Sequence, residues 1–177
     1  MRLKALRAYV ILNPDGVKNP VVKTEWRVTM KITIRKEDFD AIYQRALQER
    51  PDEACGLIAG VDLPDGTREI RKVYLLTNTD HTNEHFTIDP REQLQAIKDM
   101  RANGLTPLGN WHSHPETPSR PSEEDKRLAN DSRASYLILS LAEEGNPVLN
   151  AFHVETVDGE KVVRKEELII SSGQNTF

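Results

Sequence analysis

The chain has 177 residues, of which 37% are hydrophobic and 29% are charged, and its formal net charge is −4. This length suits one domain with a sizeable core, and the acidic balance argues against a general nucleic-acid-binding surface. The single cysteine, Cys55, excludes an intramolecular disulfide and a zinc site built from several thiolates. No apolar run approaches the roughly 20 residues that cross a bilayer. We therefore expect a cytoplasmic protein that binds neither nucleic acid nor membrane.

Residues 1–29 differ from the rest of the chain in charge and composition. They contain six Lys or Arg against two Asp or Glu, and an Asn-Pro-Asp-Gly turn signal. Met30 then opens a clean new start, Met-Lys-Ile-Thr-Ile. We predict an N-terminal extension over 1–29, which is a tail, an extra strand or an upstream start that is not native. One domain over 30–177 follows it.

The first half of that domain alternates between strands and helices. The predicted elements are strands at 31–34, 56–61 and 68–78, and helices at 36–49 and from 90 to about 102. The first helix is predicted because Phe39, Ile42 and Ala46 recur at helical spacing. Asp89 and Pro90 predict the start of the second helix, since an acidic cap and a proline in the first turn are favoured there.

The second half of the domain shows the same alternation. The predicted elements are strands at 108–114 and 136–142, a short helix at 122–130, and a hairpin of 148–155 and 161–169. Residues 115–121 contain three prolines and are predicted as a loop. Strand 136–142 is apolar throughout, which favours a central position in the sheet. The whole pattern predicts an α/β domain with a mixed β-sheet flanked by helices.

Two histidines at the end of one predicted strand are candidate metal ligands. His112 and His114 are two residues apart, so their side chains leave the same face of the strand. Both imidazoles can then reach one zinc ion, at about 2.0–2.1 Å from each nitrogen. Pro115 ends the strand and places the rings beside a loop. Such a pair alone is a weak signal, because single histidines are common in strands without any metal.

A third ligand is available at the start of the following helix. Ser122 and Asp125 are three residues apart and share a helix face, so both can point back at the histidines. A different interpretation of the same spacing is an N-cap, with Ser122 accepting from the backbone and an acid near the positive helix end. The two interpretations are compatible. Two histidines and one carboxylate leave a fourth position for water, which is typical of a catalytic zinc.

These positions together resemble a known family. The motif that resembles the complete zinc signature of the JAMM (MPN+) metallopeptidases is His112-Ser113-His114-Pro115, six residues, Ser122, two residues and Asp125. Upstream, Asp52-Glu53-Ala54-Cys55-Gly56 resembles the glutamate segment of the family. The resemblance spans roughly 31–170 and implies the MPN fold, with a cytidine-deaminase-like architecture. One departure is Asn110, where many relatives carry an aromatic residue, which affects local packing and not the metal ligands.

The resemblance also implies roles for the site residues. One zinc ion would be bound by His112, His114 and Asp125, with a catalytic water as fourth ligand. Glu53 would be the general base, a choice that the sequence alone does not make over Glu84 or Glu116. Ser122 would donate a hydrogen bond to the oxyanion.

The chain is short and looks most like the small prokaryotic members of the family. Among these it is similar to the peptidases that release cysteine from the C-terminus of a ubiquitin-like sulfur-carrier protein. The implied partner is therefore a carrier with a Gly-Gly tail, which we expect to pair with a strand edge near the site. A second enzyme hypothesis is an isopeptidase that removes a ubiquitin-like modifier from lysine. A third is a non-catalytic scaffold of the same fold, which usually lacks the metal ligands present here. The sequence does not indicate an oligomeric state.

Several other residues have structural interpretations. Cys55 is predicted to be a small buried residue, and Trp111 to pack in the core behind the site. Three further histidines lack ligand spacing and are predicted at the surface or in loops: His81, His85 and His153.

Overall fold

The structure, a computed structural model, describes residues 9–12, 18–21 and 30–172. In the first two segments, Tyr9–Leu12 (β1) and Lys18–Val21 (β2) pair antiparallel as a separate two-stranded sheet. Much of the predicted extension lies outside the described residues, so its boundary at residue 30 stays a prediction. No helix in the described part of the chain is long and apolar enough to cross a membrane.

Eight further strands among the described residues form one mixed sheet. In chain order they are Lys31–Arg35 (β3), Cys55–Asp62 (β4), Thr67–Leu76 (β5), Thr106–His114 (β6), Ser135–Ser140 (β7), Val148–Val157 (β8), Glu160–Lys165 (β9) and Glu167–Ser171 (β10). Their spatial order is β10-β3-β5-β4-β6-β7-β8-β9. The β10–β3, β3–β5 and β6–β7 pairs are parallel and the others are antiparallel. The predicted α/β class with a mixed sheet is confirmed.

Helix Lys36–Glu49 (α1) covers one face of this sheet, with the predicted bounds. Its apolar stripe of Phe39, Ile42 and Ala46 is buried against strand residues that include Trp111, which is fully inaccessible to solvent. Spacing of 3.6 residues per turn puts this stripe on a single side of the helix. The main core therefore lies between α1 and the sheet, behind the strand that carries the candidate site.

Helix Pro90–Ala102 (α2) covers part of the opposite face. The side chain of Asp89 caps it by accepting from the backbone N–H groups of Arg91 and Glu92, as the sequence predicts. Ala96 and Met100 pack there against Leu76 and other apolar side chains of the sheet. Helix α2 contacts β4, β5 and β6, and the third helix, Glu123–Leu128 (α3), contacts β9.

The predicted strand 161–169 is wrong as one element, because it divides at Glu166. That side chain is 3% exposed and accepts hydrogen bonds at 3.0 Å from the Ser135 hydroxyl, which in turn accepts one from Arg68. Strands β9 and β10 lie at opposite ends of the strand order but are joined by this single residue. The sheet must therefore curl until its two edges approach, and Glu166 occupies the point where the chain crosses between them.

Gly56 offers a test of the close packing behind the candidate site. A Cβ atom there would lie 1.8 Å from the Tyr74 carbonyl oxygen and 2.4 Å from Trp111 Nε1, and the indole itself donates to that carbonyl at 3.0 Å. We expect Gly56→Ala to lower the free energy of unfolding by about 3 kcal/mol or more through overpacking. Gly66→Ala is the control, since its φ is +84° but nothing lies within 4 Å. It should cost about 1–2 kcal/mol in urea denaturation, and equal losses in both variants would contradict the packing argument.

Candidate metal centre

His112 and His114 lie at the C-terminal end of β6, a central strand between β4 and β7. Both rings are on the face that carries α2, since His112 lies opposite Cys55 in the β4–β6 ladder and alternates with Trp111 on the core face. Their exposed fractions are 2% and 5%. The two Nε2 atoms are 3.0 Å apart. Two nitrogen atoms of neighbouring imidazoles thus converge on one buried point.

Asp125 brings a carboxylate to the same point from the first turn of α3. Its Oδ1 lies 3.4 Å from His112 Nε2, and its Oδ2 lies 3.5 Å from His114 Nε2. Burial alone would raise the pKa of Asp125, but its interactions with the two imidazoles outweigh this and hold the pKa well below its usual range. The carboxylate is therefore ionised whenever the protein is folded near neutral pH.

Ser122 caps α3 and orients Asp125. Its hydroxyl accepts from the Asp125 N–H at 3.0 Å and donates to Asp125 Oδ2 at 2.7 Å, and its own N–H donates to the same oxygen at 2.7 Å. This is a reciprocal capping box. The N-cap interpretation of the Ser122–Asp125 spacing is therefore correct, and it operates together with the proximity of Asp125 to the histidines.

Glu53 approaches the site from the segment between α1 and β4. Its Oε1 lies 3.9 Å from His114 Nε2, and the residue is 3% exposed. Its backbone N–H donates to the Thr82 carbonyl at 2.9 Å. Burial, followed by the nearby charges of Asp125 and Glu124, raises the pKa of Glu53 to about 8. A cation at the site would oppose both effects and favour the ionised form.

The donor set fits a zinc ion. Zinc with bonds of about 2.0–2.1 Å in a tetrahedron requires ligand atoms about 3.3 Å apart. The two Nε2 atoms are 3.0 Å apart, and Asp125 faces His112 with Oδ1 at 3.4 Å and His114 with Oδ2 at 3.5 Å. His114 Nδ1 lies 3.1 Å from the Pro118 carbonyl oxygen, which favours the tautomer with its lone pair on Nε2. Burial lowers the pKa of His112 and keeps that ring neutral.

A second grouping of possible ligands shares the two histidines. Glu53, His112 and His114 each offer a donor atom, and these atoms lie within 4.8 Å of one another. The separation of 3.9 Å between Glu53 and His114 exceeds the edge of a zinc tetrahedron, whereas each Asp125 oxygen lies about one such edge from one imidazole nitrogen. The distances therefore favour Asp125 as the third ligand, with Glu53 beside the fourth coordination position.

Three residues that sequence reasoning missed hold the site together. Ser113, between the two histidines, accepts from the Ala54 N–H at 2.8 Å through its hydroxyl and so ties β6 to the Glu53 segment. The Asn78 amide donates to the Glu53 carbonyl at 3.0 Å. Phe86 stacks on the His112 ring, with centroids 4.8 Å apart. Asn78 is the last residue of the predicted strand 68–78 but lies beyond the end of β5, and Phe86 belongs to the loop that follows, so no local signal marks either as a site residue.

Ser113→Ala tests this connection through stability. The substitution leaves the buried Ala54 N–H without its side-chain acceptor, so we expect the free energy of unfolding to fall by about 1–3 kcal/mol. Ser171→Ala is the control, because that exposed hydroxyl donates to the Ile34 carbonyl at 3.4 Å on the outer strand β10, and it should change stability by less than about 0.5 kcal/mol. Indistinguishable denaturant midpoints would show that the Ser113 hydrogen bond contributes nothing.

A cleft opens from the centre toward the start of β6. Next to His112 and Asp125 is a small cavity of about 60 Å³, with Phe86 on one side. A larger cleft of about 740 Å³ continues along the sheet between Ile97 of α2 and Leu128 of α3. Asn110, Leu128 and Tyr136 line both spaces. A chain lying in this cleft would reach the imidazoles at its end.

The remaining predictions have mixed outcomes. Cys55 is fully buried, and burial raises its pKa to about 12, which suits a structural residue. The side chains of His81 and His85 are exposed as predicted. The surface prediction for His153 is wrong, since it is buried on β8, where it lies opposite Ser135.

Fold and site together define a class of α/β proteins in which a His-x-His strand end faces an acid from the next helix. The chain belongs to the family described as prokaryotic homologs of the JAB domain, which matches residues 35–154. This range includes every residue of the candidate centre.

Similar proteins cover most of the same region. The CysO-cysteine peptidase of Mycobacterium tuberculosis (strain ATCC 25618 / H37Rv) is 30% identical over 128 residues, which are 72% of this chain and 84% of that protein. A probable TtuB-protein conjugate cleaving protease of Thermus thermophilus is 36% identical over 94 residues, which are 52% of this chain and 58% of that protein. The solution structure of a Desulfitobacterium hafniense protein matches with a TM-score of 0.72 and 49% identity, and covers 81% of this chain and 95% of that one.

Proposed function

We propose that the chain is a zinc-dependent peptidase that hydrolyses the bond at the C-terminus of a ubiquitin-like sulfur-carrier protein and releases cysteine. The observation that carries the proposal is the convergence of His112, His114, Asp125 and Glu53 on one buried point. The similarity to a CysO-cysteine peptidase over 72% of the chain supports the substrate class.

His112, His114 and Asp125 would hold the zinc ion. Two neutral imidazoles and one carboxylate leave a net charge of +1 and an open position, as in catalytic sites. Bound there, zinc would polarise the scissile carbonyl and bring the pKa of water to about 7. The capping box would hold the Asp125 carboxylate in place, because Oδ2 already accepts two hydrogen bonds from Ser122.

Glu53 would move the proton. Its carboxylate would take a proton from water as the oxygen attacks the carbonyl carbon, and would deliver that proton to the leaving amine as the C–N bond breaks. The raised pKa of about 8 would fall toward neutrality beside a cation, which matches a group that must both accept and donate. The hydrogen bond from Asn78 and the stable backbone position of Glu53 support this role.

Ser122 would donate to the oxyanion that forms on the carbonyl oxygen. In the structure its hydroxyl donates to Asp125 Oδ2, so the role requires the O–H to turn toward the substrate in the transition state. A single donor of this kind is worth about 10²–10³ in rate. Ser122 lies at the edge of the site, where it can both cap α3 and donate to the substrate.

The tail of the carrier would lie in the cleft on the sheet face. The strand edge expected near the site is not provided by β6, since Asn110 and His112 are paired with β4 on one side and β7 on the other. The cavity next to His112 and Asp125 measures only about 60 Å³, and so small a space favours glycine, which has no side chain. A Gly-Gly tail would therefore bind in the cleft through contacts with side chains and not as an added strand.

The test is a mass measurement. A small ubiquitin-like protein extended by a C-terminal cysteine is incubated with the zinc-loaded chain, and loss of one cysteine residue is expected. A lysine-linked conjugate of the same carrier tests the isopeptidase alternative, which the similarity to a conjugate cleaving protease favours. Cleavage of the conjugate alone would replace the cysteine assignment, and no cleavage of either substrate would favour the scaffold.

A further inference from the structure

The side chain of Asn110 has an unusual position for a polar group. Its Oδ1 is inaccessible to solvent and has no hydrogen-bond partner among the described residues. An amide group is rarely left in this state, because a buried oxygen without a partner loses its hydration and gains nothing in return. The side chain as a whole lines the cleft, so a turn of the carboxamide would bring this oxygen to a ligand there and give it the missing partner.

The surroundings of Asn110 point to a ligand that lies along the cleft. Asn110 lines both the small cavity beside His112 and Asp125 and the larger cleft that leads away from them. The nearby Tyr136 hydroxyl donates to the Asp131 carbonyl at 3.1 Å. Apolar side chains such as Phe86, Leu128 and Ile138 form much of the wall of the small cavity, whereas charged side chains also line the larger cleft. A few oriented polar groups typically set the position of a molecule bound in such a cleft.

The backbone of β6 cannot take this role. Asn110 is paired through its main chain with Leu57 of β4 and with Tyr136 of β7. A peptide that lies on this face of the sheet must therefore satisfy its own N–H and C=O groups with side chains or water. The Asn110 carboxamide offers both a donor and an acceptor for a peptide unit.

We propose that Asn110 is a substrate-binding residue that hydrogen-bonds the main chain of the carrier tail two residues before the scissile bond. The inference rests on the proposed function. Asn110 and His112 are two residues apart on a strand, which is about 6.6 Å. An extended tail of sequence Xaa-Gly-Gly with its last carbonyl at the histidines places the Xaa-Gly peptide unit at that distance. The tail before the scissile bond lies in the larger cleft, because the part released on the other side of that bond is a single cysteine residue.

The test measures binding of a product, so that it does not depend on turnover. The probe is a fluorescein-labelled peptide that ends in Xaa-Gly-Gly carboxylate, and its Kd for the zinc-loaded full chain is measured by anisotropy. Asn110→Ala should raise Kd about tenfold, the usual effect of one lost hydrogen bond. Gln95→Ala removes an exposed amide that lines the far side of α2, and it should leave Kd unchanged.

A second pair of peptides locates the contact. Replacement of the Xaa-Gly peptide unit by an alkene should weaken binding about tenfold in the parent chain and not at all in Asn110→Ala. The same replacement in the Gly-Gly unit should affect both proteins equally. Equal Kd values for Asn110→Ala and the parent, equal alkene penalties in both, or no binding by the parent would each overturn the assignment.

The outcome is separable from that of the proposed reaction. If Asn110→Ala binds the tail as tightly as the parent while cysteine is still released, the inference fails and the proposed function stands. If tail binding depends on Asn110 but no cysteine is released, the reaction is wrong and the binding residue stands.

Discussion

Asp125→Asn is expected to remove zinc from the protein and to abolish peptidase activity. The substitution keeps the shape of the side chain, and its amide oxygen still accepts hydrogen bonds, so the cap that Ser122 forms with it is largely preserved. The carboxylate charge that faces His112 and His114 at 3.4 and 3.5 Å is lost. Outer-shell changes alone cost about 10–100-fold in metal affinity, so loss of a ligand charge should cost at least about 100-fold.

The measurement is zinc content after dialysis, together with activity per folded chain. The matched control is Glu123→Gln, which removes a carboxylate from the same turn of α3, where Glu123 is exposed and pairs with Lys126. It should keep full zinc and activity. One zinc per chain in Asp125→Asn would show that the ligand set is wrong and would favour the grouping with Glu53.

Much of the fold follows from local periodicity. Helix α1 matches its predicted bounds because Phe39, Ile42 and Ala46 form one stripe, and α2 begins where Asp89 caps it. The sequence does not predict the division at Glu166, because this glutamate is buried only when the sheet curls. The burial of His153 likewise depends on tertiary structure and not on the local sequence, since it lies on β8 between β7 and β9.

Local sequence patterns likewise predict some residues of the candidate site and not others. His112, His114 and Asp125 lie within 14 residues of one another, and strand and helix geometry is sufficient to bring them together. Glu53 reaches the site because Cys55 of β4 pairs with His112 of β6, and these two strands are far apart in the sequence. No local pattern reveals this pairing, so only the family resemblance predicts the role of Glu53. For Asn110 the sequence predicts only an effect on local packing, whereas the structure leaves its carboxamide oxygen without a partner in the described residues.

Glu53→Gln is expected to keep zinc but to lower kcat by about 10²–10⁴-fold, the range for loss of a general base. The amide is nearly the same size as the acid and carries no charge, so the 3% exposed pocket beside His114 should still close around it. The pKa of Glu53 is raised by burial, so the buried site already tolerates an uncharged side chain here. The variant should therefore unfold at a denaturant concentration close to that of the parent.

Glu84→Gln and Glu116→Gln are the matched controls, because these were the two acids that the sequence alone left as alternatives. Both are exposed in the structure, and both variants should retain full activity. Asp125→Asn and Glu53→Gln are compared for zinc content. Zinc retained in Glu53→Gln and lost in Asp125→Asn supports Asp125 as ligand and Glu53 as base, whereas the opposite result would exchange the two roles. Full activity in Glu53→Gln would mean that another group takes the proton from water.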